Sequence, residues 1–209
     1  MNEKLNYDWL GMAIRLQAIA QAGLEYSDNK YDIDRYQQLR KLSTEIMHDF
    51  TGMAMNKLTA LFASEKGYQT PKVDVRGVVF RDNKLLLVRE TIDNNWSVPG
   101  GWADVGLTPF ENARKEVFEE SGLEVEPVRI LAVLDKKSHN HPPDLYDIYK
   151  IFILCKERGG HLQIGMETSD TGFFGPDELP SLSTPRITEE QIKLMFDYNN
   201  NPAKEAVCD

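Results

Sequence analysis

Apolar residues recur at three- and four-residue steps over residues 8–25, through Trp9, Ala13, Leu16, Ala20 and Leu24. That spacing predicts a helix with one apolar stripe, weakened near its end by Gly23. After the polar SDNKYD stretch, Asp32 is placed to cap a second helix, whose apolar positions Tyr36, Leu39, Leu42, Ile46, Phe50 and Met53 keep the same period. A short third helix is predicted over Asn56–Ala63. Gly67 and the Thr70-Pro71 pair then stop helical structure, because the residue before proline avoids the helical region.

Beyond Pro71 the period changes to two. Val73, Val75, Gly77 and Val79 alternate with Asp74 and Arg76, and the KLLLVR run follows an Arg81-Asp82-Asn83 turn, which predicts a hairpin. Further strands are expected at Trp96–Pro99, Val128–Leu134 and Tyr146–Cys155, and helices at Pro109–Ser121 and Thr188–Asp197, with a frayed Asn199-Asn200-Asn201-Pro202 tail. The change of period sets a boundary near residues 66–71: a helical domain over 1–68 and a mixed α+β domain over 69–209. So few helical residues bury little core alone, so the first domain is expected to pack on the rest of the chain or on a second copy, as a homodimer.

Composition narrows the classes. Hydrophobic residues make up 41% and charged residues 27% of the 209 residues, ordinary globular usage that excludes a disordered or disulfide-scaffold chain. With 33 acidic against 24 basic residues the formal charge is −9, which disfavours nucleic acid and anionic membrane surfaces as partners. The two cysteines, Cys155 and Cys208, do not make a disulfide framework. The first residues lack a secretory pattern and no run approaches 18 apolar residues, so a cytoplasmic location with no membrane insertion is expected.

The chemistry concentrates in residues 100–123, GGWADVGLTPFENARKEVFEESGL. Thr108, Pro109 and Glu111 form a helix start and Gly122 suits the end. On that helix Glu116, Glu119 and Glu120 fall within about 100° of arc. Like charges at this spacing cost roughly 0.2–0.5 kcal/mol per pair, and acids in the last turn also oppose the helix dipole. Lys115 sits four residues before Glu119 but also four after Glu111, so relief within the chain is partial. Either the helix is simply an acidic surface, or a hard divalent cation, Mg²⁺ or Mn²⁺, completes it and joins the carboxylates to substrate phosphates.

The segment resembles the Nudix box, Gly-x5-Glu-x7-Arg-Glu-U-x-Glu-Glu-x-Gly-U with U aliphatic. Gly101, Glu116, Val117, Glu119, Glu120, Gly122 and Leu123 match in register. Leu107 stands at the family's Glu and Lys115 at its Arg, so the structural ion pair usual there is missing. The resemblance covers about residues 71–200, and the preceding helices and PKVDVRG strand further resemble the bacterial group that includes CDP-choline pyrophosphatase and ADP-ribose pyrophosphatase-like proteins. It implies an α/β/α sandwich around a mixed sheet. It also implies hydrolysis of a nucleoside diphosphate derivative, with CDP-choline expected first and ADP-ribose or another nucleoside diphosphate sugar second. Glu116, Glu119, Glu120 and the Gly100 carbonyl are the implied metal ligands. The general base is expected to be Glu120 or Glu167.

Candidate groups for holding substrate are Arg76, Arg89 and Lys150 on strands, His139 and His141 in the DKKSHNHPPD loop, and Trp102 beside the glycines. Trp96, Trp102 and Tyr146 could face a base or a quaternary ammonium, and each could equally be packing. Two further readings share the fold. One is hydrolysis at an RNA end, which the net charge disfavours. The other is a nucleotide-sensing regulator without catalysis, which the complete acid set disfavours.

Overall fold

In the computed structural model, residues 8–209 are described. The part of the expected first domain that falls on residues 1–7 lies outside the described residues. The chain divides into two compact units: one ends at Pro71 and also takes in Pro143–Tyr146, and the other comprises Lys72–Pro142 and Asp147–Asp209. Among the described residues no helix is long and apolar enough to cross a membrane.

The first unit contains α1 (Trp9–Tyr26), α2 (Lys30–Thr51) and α3 (Met55–Phe62). Asn29, not Asp32, caps α2, accepting from the Tyr31 amide at 2.9 Å, while Asp32 pairs with Arg35 on the helix surface. Ala13, Ile14, Met47, Leu58 and Phe62 form its core. The buried seam is rotated from the expected stripes. Gln17, Gln21, Ser43 and Thr44 are buried, the Ser43 hydroxyl reaches Gln17 and the Gln21 amide donates to the Gly67 carbonyl at 2.8 Å. Small and polar side chains at the seam let the helices approach, and Trp9, Leu42 and Phe50 are left 45%, 46% and 59% exposed.

The second unit is an eight-stranded mixed sheet between two helices. Its strands are β1 (Lys72–Arg81), β2 (Lys84–Glu90), β3 (Trp96–Ser97), β4 (Gly100–Trp102), β5 (Leu123–Asp135), β6 (Ile148–Gly160), β7 (Thr168–Phe174) and β8 (Val207–Cys208). The hydrogen-bonded order is β3-β2-β1-β6-β5-β8, with β4 also on β1 and β7 on β2. Asp82 and Asn83, both with positive φ, make the tight β1–β2 turn. Helix α4 (Pro109–Ser121) packs Ala113 and Val117 on Val75, Val79 and Ile153, while α5 (Glu189–Asn200) packs Ile192, Met195 and Phe196 on Val78, Leu134 and Phe152. Alternation along β1 and β6 thus feeds one core on each side of the sheet.

Several boundaries move. β5 and β6 each run 13 residues, well past the expected segments, because they pair along nearly their full length. The expected Trp96–Pro99 strand ends at Ser97, and the chain re-enters the sheet as β4. Nor is the tail frayed: Asn199 and Asn200 end α5, Arg129 donates to the Lys204 and Pro202 carbonyls, and Val207–Cys208 adds to the edge of β5.

Candidate active site

Helix α4 begins on a complete capping box, the Thr108 hydroxyl accepting from the Glu111 amide while the Glu111 carboxylate accepts from the Thr108 amide. It ends at Gly122 in the left-handed conformation. These stops bring Glu116 and Glu120 against the glycine turn between β3 and β4. Gly100 has φ 146°, and a Cβ there would lie 2.0 Å from the Val75 carbonyl oxygen, so only glycine fits. Around it, the Gly77 amide donates to the Pro99 carbonyl and the Ala103 amide to that of Val73, both at 2.9 Å. The Gly100 amide turns instead to Glu120 Oε2 at 2.9 Å.

Burial pushes the Glu120 carboxyl up to about 8, against the pull of Arg76 and the Gly100 amide. Burial also raises Glu116, with Lys115 opposing. Lys115 lies 2.7 Å from Glu119, 3.2 Å from Asp104 and 3.3 Å from Glu116, and its hydrogen bond to Glu119 leads the effects that hold it above the usual lysine range. Glu111, the other partner expected for Lys115, is engaged with Thr108.

Among the described residues no three His, Cys, Asp or Glu side chains form a ready metal cage. The donor chemistry of Glu116, Glu119 and Glu120 nevertheless fits Mg²⁺ or Mn²⁺, since these are hard oxygen ligands on one helix face, and such ions complete their shells with water and substrate phosphate. The Lys115 ammonium already stands between two of the three.

Arg76 is placed differently from a surface phosphate clamp. It is buried, its guanidinium pairs with Asp74 at 2.7 and 3.0 Å, and its Nη1 donates to the Val98 carbonyl at 3.0 Å. Lys150, on the neighbouring strand, is fully buried with its amine on the same Asp74 carboxylate. Burial would raise Asp74, but the two cations outweigh it and hold the group down to about 2, while burial brings Lys150 down to about 8. Beyond Val98, the Ser97 hydroxyl donates to buried Glu90 at 2.8 Å and Arg186 reaches Glu90 at 3.1 Å. Together these groups fasten the turn that presents Gly100.

The remaining candidates do not gather at one place. Arg89 donates to the Asn94 carbonyl within the β2–β3 turn. His139 Nε2 is 2.8 Å from Asp209 Oδ2. His141 sits with Nδ1 2.7 Å from the Thr184 carbonyl oxygen and Nε2 3.1 Å from Gln191 Oε1. Trp102 stays open, 54% exposed. Trp96 packs edge-on against Phe174 with ring centroids 4.7 Å apart, and Tyr146 belongs to the other unit, where its hydroxyl donates to the Leu61 carbonyl. Glu167 is exposed on a loop built onto the last turn of α4: the Thr168 hydroxyl donates to the Glu120 carbonyl at 3.0 Å, and Gly165 lies so near Glu119 that a Cβ would meet its carbonyl at 2.0 Å.

Sequence reasoning missed Asp74, Glu90, Ser97, Asp104 and Arg186. The alternation of Asp74 with Val73 and Val75 carried a signal for one of them, because an acid and an arginine two apart on a buried strand face demand each other. The others meet across long loops and left no local pattern.

Residues 70–198 match the NUDIX domain family, and residues 7–62 match the family described as UDP-X-like, N-terminal oligomerisation domain. A Bacillus subtilis protein, YjhB, whose name provisionally gives it as an ADP-ribose pyrophosphatase, is 49% identical over 206 residues, 99% of each chain. An ADP-ribose pyrophosphatase of Methanocaldococcus jannaschii is 33% identical over 63% of this chain and 75% of its own. Among solved structures, an ADP-ribose pyrophosphatase from Streptococcus suis has 43% identity and a TM-score of 0.62, covering 67% of this chain and 100% of that one. A UDP-X diphosphatase has 32% identity and a TM-score of 0.63, covering 97% of this chain and 98% of that one.

Proposed function

The chain belongs to the Nudix family of hydrolases and is a pyrophosphatase of nucleoside diphosphate derivatives; within that class we propose that its substrate is ADP-ribose or a closely similar nucleoside diphosphate sugar. The observation that carries this reading is the likeness to YjhB along the full length of both chains. A second observation supports this reading over CDP-choline, the first expectation from sequence. Enclosing a quaternary ammonium takes several aromatic faces around one point. Of Trp96 and Trp102 in the second unit, only Trp102 is open, since Trp96 packs against Phe174.

Glu116, Glu119 and Glu120, with the Gly100 carbonyl, hold Mg²⁺ or Mn²⁺ in this proposal. An ion held there would supply neutralisation of phosphate oxygens and a lowered pKa for the attacking water. The chain's own part is to fix the carboxylates. The Gly100 amide orients Glu120, burial keeps bulk water from Glu116, and the Asp74–Arg76 pair locks the turn from the opposite side of the sheet. Water adds to one phosphorus and the bridging oxygen leaves with the other, giving AMP and ribose 5-phosphate from ADP-ribose. Glu167, on the loop tied to the end of α4, is the proposed base that takes the proton from water. Arg89, Lys150, His139 and His141 have no assigned contact to substrate in this scheme.

Incubation of the full chain with ADP-ribose, UDP-sugars, CDP-choline and 5′-triphosphorylated RNA, with Mg²⁺ or Mn²⁺, tests the proposal by chromatography of the products. ADP-ribose is expected to show the highest kcat/KM. Preferred turnover of CDP-choline would return the substrate to the choline class, and cleavage of RNA alone would move it to RNA ends.

A further inference from the structure

Lys115 holds the family's arginine position, but the glutamate that would meet it is replaced by Leu107, which is 40% exposed. A lone ammonium between two of the three ligand carboxylates, Glu116 and Glu119, would be a permanent competitor for the metal. The structure gives it one further anion, Asp104, on the same loop and three residues earlier than Leu107. This aspartate is held in place. Its amide donates to Asn112 Oδ1 at 2.8 Å, and the buried Asn112 amide spans to the Leu107 and Thr108 carbonyls at 3.3 and 3.1 Å. Asp104 is thus fastened to the first turns of α4 independently of the acids it sits beside.

We propose that Lys115 is an exchangeable internal counterion: without metal it neutralises Glu119 and Glu116, and on metal binding it withdraws to Asp104, which is the positioning residue that receives it. The inference rests on the reading of Glu116 and Glu119 as metal ligands. The distances carry it. Lys115 spans 2.7 Å to Glu119, 3.3 Å to Glu116 and 3.2 Å to Asp104, so release of the glutamates requires no search for a new partner. Lys115, Glu119 and Asp104 keep 35%, 53% and 52% of their side-chain surface open, so the pairs with Glu119 and Asp104 are weak enough to be traded, while the contact to the more buried Glu116 is the longest of the three at 3.3 Å. An arginine fork would hold two carboxylate oxygens in fixed geometry, whereas a single ammonium on a flexible stem changes partners readily. Asp104 therefore does more than replace the lost pair: it lowers the cost of removing the competitor.

Binding of Mn²⁺ to the nucleotide-free full chain, read from the loss of the free-ion electron paramagnetic resonance signal, tests this without any turnover. Lys115→Met is expected to bind Mn²⁺ about three- to tenfold more tightly than wild type, and Asp104→Asn more weakly by a similar factor. Placing Asp104→Asn in the Lys115→Met background distinguishes the exchange from simple loss of a nearby negative charge. There the aspartate should change affinity by less than about twofold, because nothing remains for it to receive. Lys115→Gln serves as a second neutral variant, with circular dichroism confirming the fold of each protein. Equal effects of Asp104→Asn in both backgrounds, or unchanged or weaker binding in both neutral Lys115 variants, would overturn the proposal while leaving the metal site standing. No Mn²⁺ uptake by any variant, with or without ADP-ribose, would instead remove the metal site and this inference with it.

Discussion

Glu120 is held by opposing forces: burial favours its neutral form, while the Gly100 amide and the Arg76 charge favour the carboxylate. Its replacement by glutamine keeps an oxygen for the Gly100 amide and removes one of three crowded acids. Glu120→Gln should lose at least about a hundredfold in kcat with its fold intact. Without metal it should melt no lower than wild type, which calorimetry beside the rate assay would check. Glu167→Gln tests the proposed base: the rising limb of kcat against pH should disappear, and an unchanged profile would exclude it. His141 offers a different residue-scale test. Burial, seconded by Lys150 and Lys136, brings its imidazole down to about 4, whereas the unfolded chain takes up that proton near the ordinary value of about 6.5. Between these values the unfolded state binds more protons, so the contribution of His141 is fully present above about pH 6.5 and is lost as pH falls through about 4. Melting temperatures of wild type should therefore drop more steeply than those of His141→Gln across that window. Parallel curves would show that the ring titrates alike in both states.

At the scale of elements, the tie between β1 and β6 is chemical as well as hydrogen-bonded. The two strands run parallel in register, Asp74 opposite Lys150, and the buried carboxylate serves both Lys150 and Arg76. Asp74→Asn leaves two buried cations facing each other and is expected to cost about 3–5 kcal/mol in urea unfolding. An unfolding midpoint close to wild type would mean that the cations find water or another acid. The same elements show what a one-dimensional pattern can reveal. Helix α4 was legible because its start, end and acidic face are set by neighbours within four residues: Thr108 with Glu111, Gly122, and Glu116 with Glu119 and Glu120. The Asp82-Asn83 hairpin was legible for the same reason. By contrast, β7 carries the polar TSD run and becomes a strand by pairing with the distant β2, Arg89 opposite Asp170 and Leu86 opposite Phe173. Arg76 and Lys150 were legible as charges on strands, but their burial depends on Asp74, Val98 and the parallel pairing of β1 with β6, which no local spacing encodes.

At the scale of the whole molecule, the first unit poses a surface question. Its seam is filled by Ala13, Gln17, Ser43, Thr44 and Met47, and the apolar side chains that the helical period picks out are in part turned outward. Trp9, Met12 and Ile19 of α1 are 45%, 44% and 49% exposed, and Leu42 and Phe50 of α2 are also open. Monomeric proteins seldom leave so many large apolar side chains in water without a use for them. Residues 7–62 match a family described as an N-terminal oligomerisation domain, which agrees in kind with such a use, and we propose that the homodimer expected from sequence forms through this unit. A charge placed in such a surface costs little in a single chain but must be desolvated when two copies meet. Ile19→Glu with Phe50→Asp should therefore convert the dimer to a monomer in light scattering, at nearly unchanged cooperative unfolding of the second unit. A wild-type chain that is already monomeric at high concentration would reject the arrangement. If the doubly substituted chain stays dimeric, the contact lies on another face, and if the monomer keeps its kcat but loses substrate affinity, the partner copy helps to hold the substrate.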